Sequence, residues 1–394
     1  MTRIINSQAQ GAGSRPPLVT RPLLLRFVSV VGASTSFYLL LSVVPLYAEA
    51  RGGSDAAGLA TGALMLATVG GGLATPRFVT RFGYRLTLVT GLALLGAPTL
   101  VLTASGSTVW IAAVCGVRGL GFGFAVVAGG ALTASLIPPE RRGEGLALVG
   151  IVSGVPSLVA LPLGVWLVAH VGYAPVCIAG ALAALAAIVS VPGLPDREPT
   201  SGRSIGVLAG FRTAALLRPA VVFSATTLAA GIIVTFLPLV VPSDSARLLA
   251  VALFVQPAAS TVARWVAGWH GDRHGPAGLV LPGLAVSAAG TLLISLPHSP
   301  VAVVVGVALF GVGFGVTQNA TLTVMYARVP ASGYGTVSAL WNFAYDAGMG
   351  VGALGFGVLA GRTGYSLAFT LTAALMLTAL APAWRDRATT CSRR

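Results

Sequence analysis

The 394-residue sequence contains no lysine and very little charge of either sign. Charged side chains make up 9% of its residues and hydrophobic ones 55%, whereas a typical soluble domain is roughly 25% charged. A surface so poor in charge could not keep a chain of this length in water. The composition therefore argues against a soluble enzyme and favours a protein of the membrane.

Cysteine, histidine and acidic residues are also scarce. The three cysteines have neither metal-ligand nor disulfide-framework spacing, and the four histidines lie at the ends of apolar runs. A phosphate-binding P-loop requires lysine and is excluded, and no nucleophile–base pair is evident. We therefore expect no cofactor and no enzymatic activity, with a membrane-embedded enzyme or receptor as the alternative from a different class.

Arginine supplies all 24 basic residues, which give a net charge of +14. The arginines form short clusters between long apolar runs and are not interleaved with aromatic residues, so we expect no nucleic-acid partner. Apolar runs of about 20 residues without alternation predict transmembrane helices. We number twelve of them as spans 1 to 12, at 24–48, 57–79, 85–105, 108–136, 144–169, 173–193, 217–241, 246–269, 277–297, 300–326, 335–360 and 364–384.

The arginine distribution predicts the orientation. Nineteen arginines lie on the side that carries both termini and the loops after spans 2, 4, 6, 8 and 10, and three lie on the other side. We call the first side the arginine-rich end. The positive-inside rule predicts that it is cytoplasmic, in a multi-pass protein of the cell (inner) membrane.

The longest connection divides the chain into two halves. We expect a cytoplasmic N-terminal segment, a six-helix bundle, a cytoplasmic linker, a second six-helix bundle and a cytoplasmic tail, at 1–23, 24–193, 194–216, 217–384 and 385–394.

The two halves match at a fixed offset of 192 residues. The stretch Gly119–Gly123 corresponds to Gly311–Gly315, and Gly172 corresponds to Gly364. We call residues related by this offset repeat mates. Six spans per half with the same orientation predict a parallel duplication about an axis normal to the membrane, as in transporters that rock one half against the other. Chance similarity between glycine-rich apolar helices is the alternative.

Three local stretches stand out. Arg81, Gly83 and Arg85 follow span 2, and their counterpart after span 8 contains Gly268, Asp272, Arg273 and Gly275. Span 4 contains an intramembrane arginine, Arg118, followed by three alternating glycines. Span 5 contains Gly154 and Pro156 and, further on, Gly164, a combination that bends a helix because proline removes a backbone hydrogen bond.

These stretches resemble motifs of the major facilitator superfamily, and the resemblance covers the chain from about residue 24 to 384. The first family pattern is Gly, three residues, then Asp-Arg-x-Gly-x-Arg. The second-half copy lacks only the last arginine, which Ala277 replaces, whereas Pro76 and Thr80 replace the glycine and aspartate in the first half. The resemblance implies a conformational latch at this motif, with a simple topogenic arginine cluster as the alternative.

The resemblance also implies an architecture. It is an all-α membrane protein whose twelve transmembrane helices form two pseudo-symmetric six-helix bundles, with spans 1, 4, 5, 7, 8, 10 and 11 lining a central cavity. The span 5 stretch is similar to a motif of the drug/proton antiporter branch, although a kink without directional meaning is an alternative reading.

One carboxylate lies deep within a span. Asp346, near the centre of span 11, is the repeat mate of Gly154. Intramembrane ionisable groups are costly and mark functional sites by default, so we expect Asp346 and Arg118 to take part in proton coupling. A structural hydrogen bond or ion pair, including one between these two residues, is the alternative.

Other polar and aromatic residues within the spans are candidates for contact with a substrate. They are Thr35, Tyr38, Gln256, Gln318, Asn319, Trp341, Asn342 and Tyr345. Helix–helix packing is the alternative role for each of them.

The sequence therefore predicts a secondary active transporter. We expect proton-coupled efflux of a small amphiphilic organic compound, such as a drug or secondary metabolite, by a monomer in the lipid bilayer. Proton-coupled import of a small nutrient or metabolite is the alternative within the same fold.

Overall fold

The computed structural model describes residues 17–196, 206–240 and 246–391. Its α-helices run over Arg21–Gly96, Thr108–Leu136, Arg142–Val171, Tyr173–Ala187, Val207–Arg212, Ala214–Val240, Ala246–His274, Ala277–Ile294, Pro300–Ala327, Tyr334–Thr363, Tyr365–Thr378 and Leu380–Cys391. Short 3₁₀ segments occupy Ala97–Ala104, Pro139–Arg141, Ile188–Gly193 and Ala331–Gly333.

The first helical stretch, Arg21–Gly96, folds back on itself. A straight helix of its 76 residues would be about 114 Å long. Yet the 29-residue helix of span 4 contacts it near Arg26, near Leu64 and near Gly91. The stretch therefore contains spans 1, 2 and 3. One reversal is at Gly83, whose φ of 81° is incompatible with a continuous right-handed helix and suits a residue without a Cβ.

The twelve predicted spans account for the long helices of the described chain. Ten apolar stretches of the described chain are long enough to cross a membrane, and one of them, Leu59–Ala104, contains both span 2 and span 3. Span 8 is not among the ten, but its helix Ala246–His274 has 29 residues, roughly 43 Å of helix. The expected all-helical architecture of two pseudo-symmetric bundles is confirmed.

The linker and the last span differ in detail from the predicted boundaries. The predicted linker contains a short helix, Val207–Arg212, in which Gly210 packs against Thr336 and Leu340 of span 11. Span 12 continues as the helix Leu380–Cys391, where Asp386 forms a 2.8 Å ion pair with Arg328. Tertiary contacts therefore order segments that lack the apolar pattern of a span.

The backbone shows the internal repeat. The described residues with positive φ are Gly83, Gly172, Gly275 and Gly364, which are two pairs of repeat mates. The alternating glycines of span 4 contact the backbones of Leu64, Thr68 and Leu95, and those of span 10 contact the mates of these three residues, Gln256, Ser260 and Ser287. A Cβ at any of these glycines would collide with the facing helix, so each half depends on the same close approach.

The pseudo-two-fold axis passes close to Arg142 and Tyr334. These repeat mates contact each other directly, with Nη2 of Arg142 donating a 2.5 Å hydrogen bond to the hydroxyl of Tyr334. A residue can touch its own mate only near the axis that relates them. The axis therefore emerges at the arginine-rich end, between the starts of spans 5 and 11.

Candidate functional site

A cavity of about 490 Å³ lies between the two halves. Its lining contains repeat mates in pairs, among them Phe122 with Phe314 and Gly154 with Asp346. The cavity is therefore centred on the pseudo-two-fold axis. Its volume is within the range of roughly 300–1,000 Å³ that is typical of small-molecule sites.

Most of the predicted polar residues line this cavity. They are Tyr38 from span 1, Gln256 from span 8, Gln318 from span 10, and Trp341, Asn342, Tyr345 and Asp346 from span 11. Spans 1, 4, 5, 7, 8, 10 and 11 all contribute to the lining, as the resemblance implies, and span 2 contributes as well.

The Asp346 side chain belongs to the lining of the cavity. Within the described residues its carboxylate forms no ion pair and accepts no hydrogen bond. Its electrostatic neighbours include Tyr38 and Tyr345, and both tyrosines also lie within electrostatic range of Arg264. The carboxylate is therefore accessible to water, protons and a bound substrate.

Arg264, on span 8, is a cavity residue that sequence reasoning missed. Its guanidinium packs against Gly150 of span 5, where a Cβ would collide with it, and its Nε is buried without a hydrogen-bond partner in the described chain. The rule that singled out Asp346, an ionisable residue inside a span, applies equally to Arg264 and would have found it.

Arg26, on span 1, lines the same cavity but its donors are used by the protein. Nη1 donates to the Ser29 hydroxyl at 2.6 Å, and Nε donates to the Gly129 carbonyl at 3.2 Å. Nη2 donates to the Ala125 carbonyl at 3.5 Å. Arg26 therefore joins span 1 to span 4, whereas the described chain provides Arg264 with no such set of acceptors.

The aromatic wall of the cavity is fixed from within the second half. Trp341 stacks on Phe223 with ring centroids 4.4 Å apart, and its Nε1 donates a 3.4 Å hydrogen bond to Thr321. Asn342 donates a 2.8 Å hydrogen bond to the carbonyl of Ser338. Oε1 of Gln318 is buried without a hydrogen-bond partner among the described residues. The ring positions are therefore set by packing, while the Gln318 amide retains bonding capacity.

Three predicted residues lie outside the cavity lining. Thr35 is not part of it, although Ser34 and Tyr38 are. The side-chain amide of Asn319 instead donates a 3.0 Å hydrogen bond to the Gly143 carbonyl, so it joins the two halves. Arg118 is buried elsewhere, as described next.

The possible ion pair between Arg118 and Asp346 is not the arrangement found. Arg118 is 1% exposed, and its three guanidinium nitrogens have no oxygen or nitrogen partner among the described residues. Its electrostatic neighbours are the thiols of Cys115 and Cys177. The side chain therefore lies between spans 4 and 6 and outside the cavity lining, which favours a structural role.

The second-half motif forms the contact that its resemblance implies. Both carboxylate oxygens of Asp272 accept hydrogen bonds from the start of span 5, from the backbone N–H of Gly143 at 2.7 Å and of Glu144 at 2.9 Å. A carboxylate at a helix N-terminus satisfies free N–H groups and interacts favourably with the helix dipole. We call this contact the Asp272 latch. Gly275 has a φ of 91°, and Arg273 lies outside the latch, with its guanidinium 3.7 Å from the Trp269 ring centroid.

The first-half motif binds within its own half. The Asp196 carboxylate accepts a 3.1 Å hydrogen bond from the Arg85 backbone, and the Arg85 Nε donates to the Leu194 carbonyl at 2.6 Å. A Cβ at Gly83 would meet Asp196, and the exposed Arg81 lies over the Phe82 ring. This motif therefore anchors the end of span 6 and leaves the Asp272 latch without a symmetric counterpart.

The span 5 motif combines cavity lining with close packing. Gly154 faces open space in the cavity, and a Cβ there would meet no atom within 4 Å. Pro156 is buried two residues further along the helix, and Gly164 allows span 5 to approach the Leu39 carbonyl of span 1. Gly164 is therefore a packing position.

The fold matches solved transporter structures. The human organic anion transporter MFSD10 (TETRAN) matches with a TM-score of 0.76 at 19% identity, covering 94% of this chain and 100% of that chain. A bacterial homologue of the iron transporter ferroportin, in an outward-facing state, gives 0.75 at 12% identity over 93% and 98%. The E. coli fucose:proton symporter gives 0.74 at 14% identity over 93% and 98%.

The sequence match is equally extensive. The family described as Major Facilitator Superfamily matches residues 26–353 and 245–392. Two bundles around an axial cavity agree with that match, and both indicate a multi-pass membrane transporter that is not an enzyme. The chain belongs to the major facilitator superfamily.

Proposed function

We propose that the protein is a proton-coupled secondary transporter of a small amphiphilic organic compound, working by alternating access. The observation that carries this proposal is Asp346, whose carboxylate lines the cavity and has no protein partner in the described chain. A carboxylate without such a partner depends on the cavity contents to stabilise its charge. Its protonation state is therefore linked to what occupies the cavity.

The cavity chemistry supports an amphiphilic substrate. Trp341, Phe122 and Phe314 give it aromatic walls, while Gln256 and Gln318 provide amide groups. A few polar groups in an apolar pocket suit a compound with an apolar body and a polar handle. A sugar would require many more hydrogen-bonding partners.

Contacts between the halves support alternating access. The Asp272 latch, the bond from Arg142 to Tyr334 and the bond from Asn319 to Gly143 all lie at the arginine-rich end. With that end assigned to the cytoplasm, these contacts close the inner side in an outward-facing state, in keeping with the outward-facing neighbour. Opening the inner side requires these hydrogen bonds to break together.

Efflux is the first candidate direction, which the similarity of the span 5 motif to that of antiporters supports. Gly154 and Pro156 place that motif beside the cavity, with Gly154 in its lining. Uptake is the second candidate, because Arg264 adds a further charged group to the lining that contains Asp346. In antiport, proton and substrate compete for the cavity, whereas in symport they occupy it together.

A flux assay tests the proposal. Purified protein in liposomes is given an imposed pH gradient, and a panel of amphiphilic compounds is followed with and without a protonophore. We expect gradient-dependent flux of at least one compound, and its direction distinguishes antiport from symport. A panel that moves at the same rate with the gradient collapsed would contradict proton coupling.

A further inference from the structure

We propose that Arg264 binds the anionic group of the substrate, a carboxylate or sulfonate on an apolar body, and that this anion and a proton on Asp346 occupy the cavity together. The inference rests on the proposed transport function and specifies its substrate class. The binding step can be tested without any transport.

The charges of the cavity favour an anion. Its charged lining residues in the described chain are Arg26, Arg264 and Asp346, and its other titratable groups are Tyr38, Tyr326 and Tyr345. With Asp346 ionised the lining has a net charge of +1, and with Asp346 protonated it has +2. Either state attracts an anion, the second more strongly.

The two cavity arginines differ in what they can still bind. All three nitrogens of Arg26 donate to acceptors on spans 1 and 4. Arg264 has a buried, unpartnered Nε and forms no ion pair in the described chain. A guanidinium with unused donors in a partly dry site is suited to paired hydrogen bonds with a carboxylate or sulfonate.

The surroundings of Arg264 fit such a ligand. Gly150, the repeat mate of Asn342, leaves the space that the guanidinium occupies. Tyr38 and Tyr345 line the cavity within electrostatic range of Arg264, and their hydroxyl groups are hydrogen-bond donors. The aromatic wall around Trp341 can hold the apolar body. The site therefore combines a cation, two hydroxyl donors and an apolar surface.

Asp346 links this site to the proton. Its negative charge and that of the ligand repel each other across a low-dielectric cavity. Protonation of Asp346 removes the repulsion and favours anion binding. By linkage the bound anion favours protonation to the same extent. The pair then crosses together, which favours the symport candidate over antiport.

Binding of matched probes tests the inference. The probes are 1-naphthoate, 1-naphthamide and 1-naphthylmethylammonium, which share a ring and differ in charge. Titration calorimetry uses the full chain in lipid nanodiscs. We expect the naphthoate to bind at least roughly tenfold more tightly than the other two, because a charge-assisted pair adds over 1.4 kcal/mol.

Substitutions of single residues show whether Arg264 and Asp346 cause the preference for 1-naphthoate. Arg264→Gln should remove the preference for naphthoate, Arg264→Lys should retain part of it, and Asp346→Asn should tighten naphthoate binding at neutral pH. Arg362→Gln, which removes an exposed arginine just after span 11, should change nothing. Binding of 1-naphthamide to Arg264→Gln shows that this variant is folded. If Arg264→Gln does not bind the amide, Gly150→Ala is used in its place, because the added methyl group displaces the Arg264 guanidinium.

The outcomes separate this inference from the proposed function. Equal affinities for the three probes, tighter binding of the cation, or an unchanged naphthoate preference in both Arg264→Gln and Gly150→Ala would overturn the inference while leaving proton-driven flux intact. Loosened naphthoate binding in Asp346→Asn would overturn joint occupancy by anion and proton. An Arg264-dependent naphthoate preference without gradient-dependent flux would support the anion site and contradict the proposed function.

Discussion

The two halves of the molecule line one cavity with different chemistry. Arg264 and Asp346 of the second half have Gly72 and Gly154 as their repeat mates, and all four positions face the cavity. The scaffold therefore accepts glycine where the second half carries a charge. Because intramembrane charges are costly, these two are present for a reason other than folding.

The arginine-rich end shows a second asymmetry. The Asp272 carboxylate of the second half binds the start of span 5, while the hydroxyl of its mate Thr80 donates to the nearby Arg77 carbonyl. The second half thus supplies Arg264, Asp346 and the latch carboxylate of Asp272. The first half supplies the helix surfaces that these side chains face. The predictions below test that division, from the largest expected effect to the smallest.

Replacing the cavity carboxylate should have the largest effect. In Asp346→Asn the group can no longer release a proton, so gradient-driven accumulation should fall by at least roughly tenfold. Exchange of labelled for unlabelled substrate without a gradient should persist. The control is Glu49→Gln, which removes an exposed carboxylate. Gradient-driven accumulation that survives in Asp346→Asn would exclude this residue from coupling.

A matched pair of glycine variants tests closure at the arginine-rich end. A Cβ at Gly143 would lie 2.6 Å from the Gly268 carbonyl oxygen, whereas one at its mate Gly335 would lie 3.6 Å from Pro76. Gly143→Ala should therefore slow transport several-fold, and Gly335→Ala should leave the rate within about twofold. Initial transport rates measure both. Equal rates in the two variants would contradict the asymmetric contact.

The latch itself should have a moderate effect. Asp272→Asn weakens the cap on span 5 and should shift the equilibrium toward an open arginine-rich end by about 1 kcal/mol, or about fivefold. Thr80→Asp should shift it the other way, because it supplies the missing carboxylate opposite span 11. Distances between spin labels at Glu140→Cys and His274→Cys report the shift. Identical distance distributions in all backgrounds would show that the latch does not bias the conformation.

Arg118 should matter least for transport. Its mate is Phe310, so the fold accepts an apolar side chain at that position. Replacing a buried cation without a counterion by an apolar residue of similar volume is neutral or stabilising by roughly 1 kcal/mol or more. Arg118→Met should therefore keep its melting temperature and its flux, with Arg77→Ala as the exposed reference. Loss of flux without loss of stability would return Arg118 to the coupling mechanism.

The fold could be predicted well from the sequence because several strong and independent patterns indicate it. Long apolar runs, arginine clusters and a constant offset each constrain the spans independently. Gly83 and Gly275 could be identified as turns from the motif alone, and both have positive φ.

The site was only partly predictable, because cavity lining depends on helix rotation. Hydrophobicity is high on all sides of these helices, so apolar periodicity does not show which face of span 4 meets the axis. Arg118 was therefore assigned to proton coupling and Asn319 to substrate contact, although Arg118 faces Cys115 and Cys177 within the first half and Asn319 joins the halves. Arg264 was overlooked although it also lies within a span, because only Arg118 and Asp346 were considered as functional intramembrane charges.

Thiol labelling at two repeat mates tests the shared cavity most directly. With Cys115, Cys177 and Cys391 replaced by alanine, cysteine is introduced at Gly154 or at position 346, and a membrane-impermeant thiol reagent is applied from either side. The account predicts that both positions react, and that the accessible side changes with the proton gradient at Gly154, where Asp346 is intact. Reaction only with a lipid-soluble reagent at either position would place that position against lipid and contradict a common axial cavity.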